Sequence, residues 1–274
     1  VKNEAANLPD CLASLDGFVD IVVVDSQSTD GTVAIAENAG CRVEQFAWTG
    51  GFPKKRNWML LNHKFKTEWV LFLDADEQVT SAFKAELAVK IADTTCSGYW
   101  INYSNHFLWR QLRHGVPQRK LALFKVGSGL YERIEDPGWS ALDMEVHEHP
   151  TLEGRVGEIA APLVHRDFRG LKHFLARHNE YSSWEAGRYL ALRADTTAWS
   201  KLYPRQKRNY ANLDKAWFSA AYFVHAYCLR GGFRDGAAGF YYAVLKAAYF
   251  FEIYVKIREA RWQDRLDSSK RAAS

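Results

Sequence analysis

The chain has 274 residues, 47% of them hydrophobic and 25% charged, with a formal net charge of +4. That length and balance suit one large α/β domain with an extension and a substantial core, and they exclude a disordered or low-complexity chain. The basic excess is small and reads as dispersed, which argues against nucleic acid as a partner, and four cysteines without CxxC spacing (Cys11, Cys41, Cys96, Cys228) argue for reduced thiols and no structural metal.

Leu8 to Leu15 is apolar-periodic and predicts a helix. Ile21 to Val24 is a continuous β-branched run that predicts a strand covered on both faces, and it stops on Asp25. Ser26 to Thr32 is a polar turn, and the Ala-rich stretch Val33 to Ala39 predicts a helix closed by Gly40. An acidic residue at the ligand edge of such a unit can bond a ribose hydroxyl or base edge; it can equally cap a turn. Arg42 to Phe46 predicts a second strand. Pro53 then opens a helix to about His63 whose first turn carries Lys54, Lys55 and Arg56. Basic residues there oppose the helix dipole and could meet a nucleotide diphosphate, or form a solvated patch.

The apolar run Trp69 to Leu73 ends on Asp74-Ala75-Asp76-Glu77. Paired carboxylates at the carboxyl end of a buried strand suit a hard divalent cation with phosphate oxygens, though short acidic pairs also occur at strand ends and helix caps. A helix follows from Ser81, the expected N-cap, to Ala92, then strands around Tyr99 to Tyr103 and Leu121 to Phe124. The alternation predicts a doubly wound, mostly parallel sheet. Gly127 to His149 reads as an acidic loop, and Ala160 to Val164 is one more apolar segment, ending at His165.

Beyond Gly170 the pattern turns helical. Leu171 to Leu192 has helical periodicity, and Trp217 to Leu229 and Ala237 to Ile257 are aromatic-rich stretches separated by Gly231-Gly232. Charges bound or interrupt both, so no transmembrane span is predicted. Glu252, Lys256, Glu259 and Gln263 form one polar stripe, so the last helix packs on the catalytic domain or lies in a membrane interface.

Lys2 to Leu8, Val23 to Thr32 and Asp74 to Glu77 stand in the order and spacing of family 2 inverting glycosyltransferases of GT-A fold, and the chain resembles that family over nearly its whole length. Within it, Trp48-Thr49-Gly50-Gly51-Phe52, Lys54-Lys55-Arg56-Asn57 and Val146-His147-Glu148 are similar to the bacterial lipopolysaccharide-core β-1,4-glucosyltransferase subgroup. The resemblance implies a GT-A type, Rossmann-like catalytic domain over residues 1–170 and a helical extension over 171–274. It also makes the chain look truncated at its amino end, since the family opens with a short strand ahead of this first turn.

The implied activity is transfer of a hexose, glucose foremost, from a UDP-sugar to a lipid-linked glycan such as lipopolysaccharide core or exopolysaccharide. The expected placement is peripheral, on the inner face of the bacterial plasma membrane. Donor binding is expected from Asn3, Glu4, Asp25, Ser28, Lys55, Asn57 and Asp74. Mg2+ or Mn2+ is expected on Asp74, Asp76 and His165. An inverting transfer needs one carboxylate to take the acceptor's proton; the match of Val146-His147-Glu148 assigns it to Glu148, with Asp143 and Glu145 in reserve, while a purely structural pairing of Glu148 with Arg119 or another base is the alternative. A nucleotidyltransferase or a non-catalytic membrane-associated binding module are the competing functions; the absence of a Gly-rich basic first loop disfavours the former.

Overall fold

A computed structural model describes residues 1–93, 95–140, 148–167 and 169–272. The chain divides into two compact units, one built from Val1–Arg113, Pro117–Glu135 and the described residues up to Gly170, the other from His114–Val116, the described residues from Asp136, and Leu171 onward.

The first unit is α/β. Helix α1 (Leu8–Ala13) precedes strand β1 (Val22–Asp25), helix α2 (Thr32–Asn38) and strand β2 (Arg42–Gln45), and β1 and β2 pair in parallel across the α2 crossover. Gly40 closes α2 with φ +76°, a left-handed conformation that costs glycine little. Val1 lies beside β1: its amine donates to Val24 O at 2.6 Å and Ser26 N donates to its carbonyl at 2.8 Å. Leu8, Val23, Ala36 and Ala75 form a small core beneath this unit.

After α3 (Lys55–Asn62) comes the larger sheet. Its strands are β3 (Trp69–Leu71), β4 (Glu77–Gln78), β5 (Cys96–Phe107), β7 (Arg119–Lys125) and β10 (Arg155–His165), ordered β3-β7-β5-β10-β4, with β6 (Arg110–Gln111) paired to β5. Only β5 and β10 pair in parallel here; β3–β7, β5–β7, β5–β6 and β10–β4 are antiparallel. The sheet is therefore mixed where the alternation of elements predicts a mostly parallel one. Apolar runs tell which segments are buried but not their direction, and β5 and β7 follow one another with no crossover helix between them, which permits an antiparallel return.

Helix α4 (Ser81–Ala92) covers one face: Phe83 and Leu87 join Tyr99 and Ile101 of β5, Ala122 and Leu123 of β7, and Ile159 and Leu163 of β10 in the main core. Its N-cap is Thr80, whose hydroxyl accepts from Phe83 N at 3.1 Å, one residue before the expected Ser81. Gly157 of β10 lies against the Tyr99 ring, where a Cβ would come within 2.7 Å of ring carbon. The acidic segment expected to be a loop contains β8 (Gly129–Tyr131), paired with β9 (Pro150–Leu152).

The second unit is helical: α5 (Gly170–Ala194), α6 (Thr196–Lys201), α7 (Pro204–Tyr210), α8 (Trp217–Phe223) and α9 (Gly236–Ala272). A π-helical turn, Val224–Leu229, extends α8, and Gly231 at φ +73° turns the chain back into a 3-10 turn, Gly232–Asp235. Tyr189, Leu213, Tyr249, Ile253 and Ile257 lie in its core. No helix among the described residues is long and apolar enough to cross a membrane.

Candidate active site

Two sequence-distant turns interlock at the carboxyl end of β1. Asp25 is wholly buried, and its carboxylate accepts from Ser28 N at 2.9 Å and from the Ser28 hydroxyl. Asn3 and Gln27 both hold left-handed backbones, φ 54° and 59°. Asn3 Oδ1 accepts from Thr29 N, and Asn3 N donates to Ser28 Oγ, each at 2.8 Å; Glu4 N donates to Thr32 Oγ1 at 2.8 Å. Asn3, Glu4, Asp25 and Ser28 are thus brought together. Two non-glycine residues in a sparsely populated conformation are the kind of local strain that persists where surrounding contacts over-determine it.

The start of α3 is the hub. Lys54, at its N-cap, places Nζ 3.2 Å from Glu148 Oε1, with both side chains almost fully buried. Lys55 Nζ donates to Ser26 Oγ at 3.0 Å, beside Asp25. Arg56 Nη2 donates to Asp74 Oδ1 at 2.8 Å. Three consecutive basic side chains therefore reach three separate elements, each carrying a candidate carboxylate. Asn57 behaves differently from its expected donor-binding role: its amide donates to Tyr131 O at 3.0 Å and accepts from Tyr131 N at 2.9 Å, so it clamps β8 onto α3. A buried amide that completes a backbone pair in this way is committed to structure.

Asp74 and Asp76 diverge. Asp74 is half-exposed and also accepts from Lys120 Nζ at 2.8 Å, so it sits between two cations. Asp76 is buried, with Oδ2 3.5 Å from His165 Nε2 and 3.9 Å from Arg169 Nη2. Burial pushes the His165 imidazole down, but the carboxylate of Asp76, with those of Glu77 and Asp74, outweighs it and raises the pKa to about 9. His165 is therefore the charged partner of Asp76 at neutral pH, and it must lose that proton to ligate a metal. Asp74, Asp76 and His165 do not converge as a three-ligand set: among the described residues no three His, Cys, Asp or Glu side chains form a cation site. What remains is Asp76 with His165 beside it. That fits a Mg2+-type cation completed by substrate phosphates, which uses one or two carboxylates rather than an all-protein cage.

Several participants carry no motif. Glu77 is buried and accepts from Asp74 N at 3.1 Å and from the Tyr103 hydroxyl at 2.8 Å, which holds the Asp74-to-Asp76 turn against β5; burial raises its pKa, against the pull of Lys120. Arg169 donates to Glu4 Oε1 at 2.6 Å and grips Asp167 with Nε and Nη2, each at 2.8 Å. Buried Asn7 donates to Glu4 at 2.9 Å and to Asp167 at 3.2 Å. One guanidinium so ties the first turn to the segment after β10. The sequence signal for Arg169 is faint: one of two arginines just past a strand end. Lys120 carries a plainer signal, a cation at the start of an otherwise apolar strand. Of the candidate bases, Asp143 and Glu145 lie outside the described residues, as does His147. Arg119, the suggested partner of Glu148, instead stacks on Trp100 at 4.9 Å.

A family model described as Glycosyl transferase family 2 matches residues 1–146. The chain belongs to glycosyl transferase family 2. Among its relatives, the lipopolysaccharide core biosynthesis glycosyltransferase LpsC of Rhizobium meliloti (strain 1021) is 29% identical over 265 residues, covering 93% of this chain and 88% of that one. An uncharacterized glycosyltransferase of Rickettsia felis is 25% identical over 284 residues, covering 96% and 94%. A solved mannosyltransferase, PcManGT from Pyrobaculum calidifontis in complex with GDP-Man and Mn2+, aligns with a TM-score of 0.47 and 19% identity, over 94% of this chain and 84% of that one. This family 2 glycosyltransferase is thus an enzyme of glycosyl transfer, and the nucleotidyltransferase and non-catalytic readings fall away.

Proposed function

We propose that this family 2 glycosyltransferase moves glucose from UDP-glucose, with inversion, onto a sugar hydroxyl of a lipid-linked glycan of the lipopolysaccharide-core or exopolysaccharide type, working at the inner face of the plasma membrane. The acceptor class is taken from LpsC, a lipopolysaccharide core biosynthesis glycosyltransferase that is similar to 93% of this chain. The observation that carries the site is the fan of Lys54, Lys55 and Arg56 onto Glu148, Ser26 and Asp74.

In this reading the knitted turns with Asn3, Glu4, Asp25 and Ser28 receive the nucleoside. Lys55, Arg56 and Lys120 supply positive charge for the diphosphate, with Asp74 holding the latter two in place until the donor arrives. Asp76 and His165 would hold Mg2+ or Mn2+, which when bound neutralises charge on the departing diphosphate. Glu148 takes the acceptor's proton, with Lys54 Nζ 3.2 Å from its carboxylate to hold it in place.

The test is incubation with a panel of nucleotide sugars, Mg2+ or Mn2+, and lipid-linked core saccharides, following nucleotide release and the anomeric configuration of the product. UDP-glucose should give the fastest release, with a β-linked product. Retention of configuration, or turnover of other nucleotide sugars alone, overturns the reading.

A further inference from the structure

Part of the polar stripe of α9 is turned to α5, through Lys256 and Glu252, while Glu259 and Gln263 stay exposed. Lys256 Nζ donates to Asn179 O and Oδ1 and to the Ser182 and Ser183 hydroxyls of α5 at 2.7–2.8 Å, and Glu252 accepts from Ser182 at 3.1 Å. Ile253 and Ile257 are buried in the unit's own core. Beside these polar positions the exposed side of α9 carries an apolar strip. Phe240, Val244, Phe251, Val255, Trp262 and Leu266 are each 39–62% exposed, and they follow one another at spacings of 4, 7, 4, 7 and 4 residues. At 100° per residue they fall within an arc of about 80°, a straight seam roughly 39 Å long. An exposed apolar strip of this length, crossed at Arg258, marks an interaction site.

Charge says what the strip meets. Residues 171–274 carry 18 Lys and Arg against 9 Asp and Glu, a net +9, whereas residues 1–170 carry 18 against 23, a net −5. The basic excess is concentrated in the helical unit, contrary to its dispersed look in the whole-chain total. Aromatic rings at the exposed surface sit beside cations: Arg258 lies over Trp262 at 5.8 Å and Lys215 over Trp217 at 5.9 Å. A second copy would bring two +9 segments together, and phosphates of a nucleic acid would leave Val244, Val255 and Leu266 unused. An anionic lipid surface takes both features at once, rings and aliphatic side chains at the acyl boundary and cations at the head groups.

We infer that the 240–266 seam of α9 is a membrane-docking face that lies along an anionic lipid leaflet without crossing it. This deepens the membrane placement in the proposed function by naming the surface that makes it. The assay needs no nucleotide sugar, so its failure and a failure of glucosyl transfer are read separately.

The experiment is flotation of the full chain with phosphatidylcholine vesicles, with and without about 30 mol % phosphatidylglycerol. The chain should float with the anionic vesicles, at least tenfold less with the neutral ones, and less as salt is raised from about 0.05 to 0.5 M. Phe251→Ser with Trp262→Ser should lower anionic-vesicle binding at least tenfold, while Val19→Ser with Val89→Ser, two exposed positions of the first unit, should not. Arg258→Glu with Arg265→Glu guards against a folding artefact, since it keeps the apolar seam and should steepen the loss at low salt; circular dichroism checks that each variant is folded. The inference is overturned if the intact chain does not float, if folded seam variants float like the parent, or if the seam substitutions instead abolish a self-associated state in sedimentation.

Discussion

The α/β unit and the helical unit use charge in opposite ways. In the first, cations are committed to specific carboxylates: Arg56 and Lys120 to Asp74, Lys54 to Glu148, Arg169 to Glu4 and Asp167. In the second, Lys256 is held by the neutral Asn179, Ser182 and Ser183, ion pairs among the described residues are fewer (Arg261 with Asp214 is one), and residues 171–274 keep an excess of nine positive charges. Paired charges act over hydrogen-bond distances and arrange single side chains. An unbalanced excess acts collectively over a Debye length of about 10 Å and selects a surface.

The comparison is broken most directly at its pairs. Glu148→Gln keeps shape but cannot take a proton, so kcat should fall by about 10²- to 10⁴-fold with the donor KM nearly kept; an undiminished kcat in steady-state assays would move the role to a carboxylate outside the described residues. Lys54→Met leaves Glu148 buried beside an apolar chain, and urea unfolding should show a loss of about 3–5 kcal/mol, much of it restored in the Lys54→Met/Glu148→Gln double variant. If the double variant is no more stable than the single one, the pair does not couple.

Asp76→Asn should weaken nucleotide binding roughly tenfold in the presence of Mg2+ or Mn2+ and little in EDTA, as measured by calorimetry, because a neutral amide is a poor ligand for a hard cation. Equal loss in both conditions would make Asp76 a structural partner of His165 and Arg169 only.

In the helical unit the expected effect is a pH dependence of stability. His178 in α5 lies 3.4 Å from Lys246 Nζ and stacks on Phe174 at 3.9 Å; burial, reinforced by the Lys246 charge, pushes its pKa down to about 3. A histidine depressed on folding binds its proton more readily in the unfolded chain, so this unit should lose stability as pH falls from about 6.5 toward 3. Denaturant midpoints recorded across that range should slope downward, and His178→Leu should flatten the slope. An unchanged slope would place the acid sensitivity elsewhere.

The sequence by itself determined where buried strands end on carboxylates. Apolar runs that stop on Asp25 and on Asp74-Ala75-Asp76 mark buried strands with carboxylates at their ends, because hydrophobic burial and strand length are local properties of the chain. It likewise placed α4, α5 and α9 within a few residues, except for the far end of α9, where charged residues hide a helix that runs to Ala272. Tertiary structure decided what no local pattern encodes. Strand direction in the β5–β7–β3 sheet depends on the connection, and Asn57 looks like a ligand until Tyr131 takes both ends of its amide. Arg169 becomes visible only when the fold carries it 165 positions back to Glu4. The same holds for α9: its helical period was legible, but which arc turned toward α5 and which stayed in water was settled by where Asn179 and Ser182 stand. Hydrogen bonds between distant residues form only once the backbone has brought them within about 3 Å, and no spacing rule along the chain reports that distance.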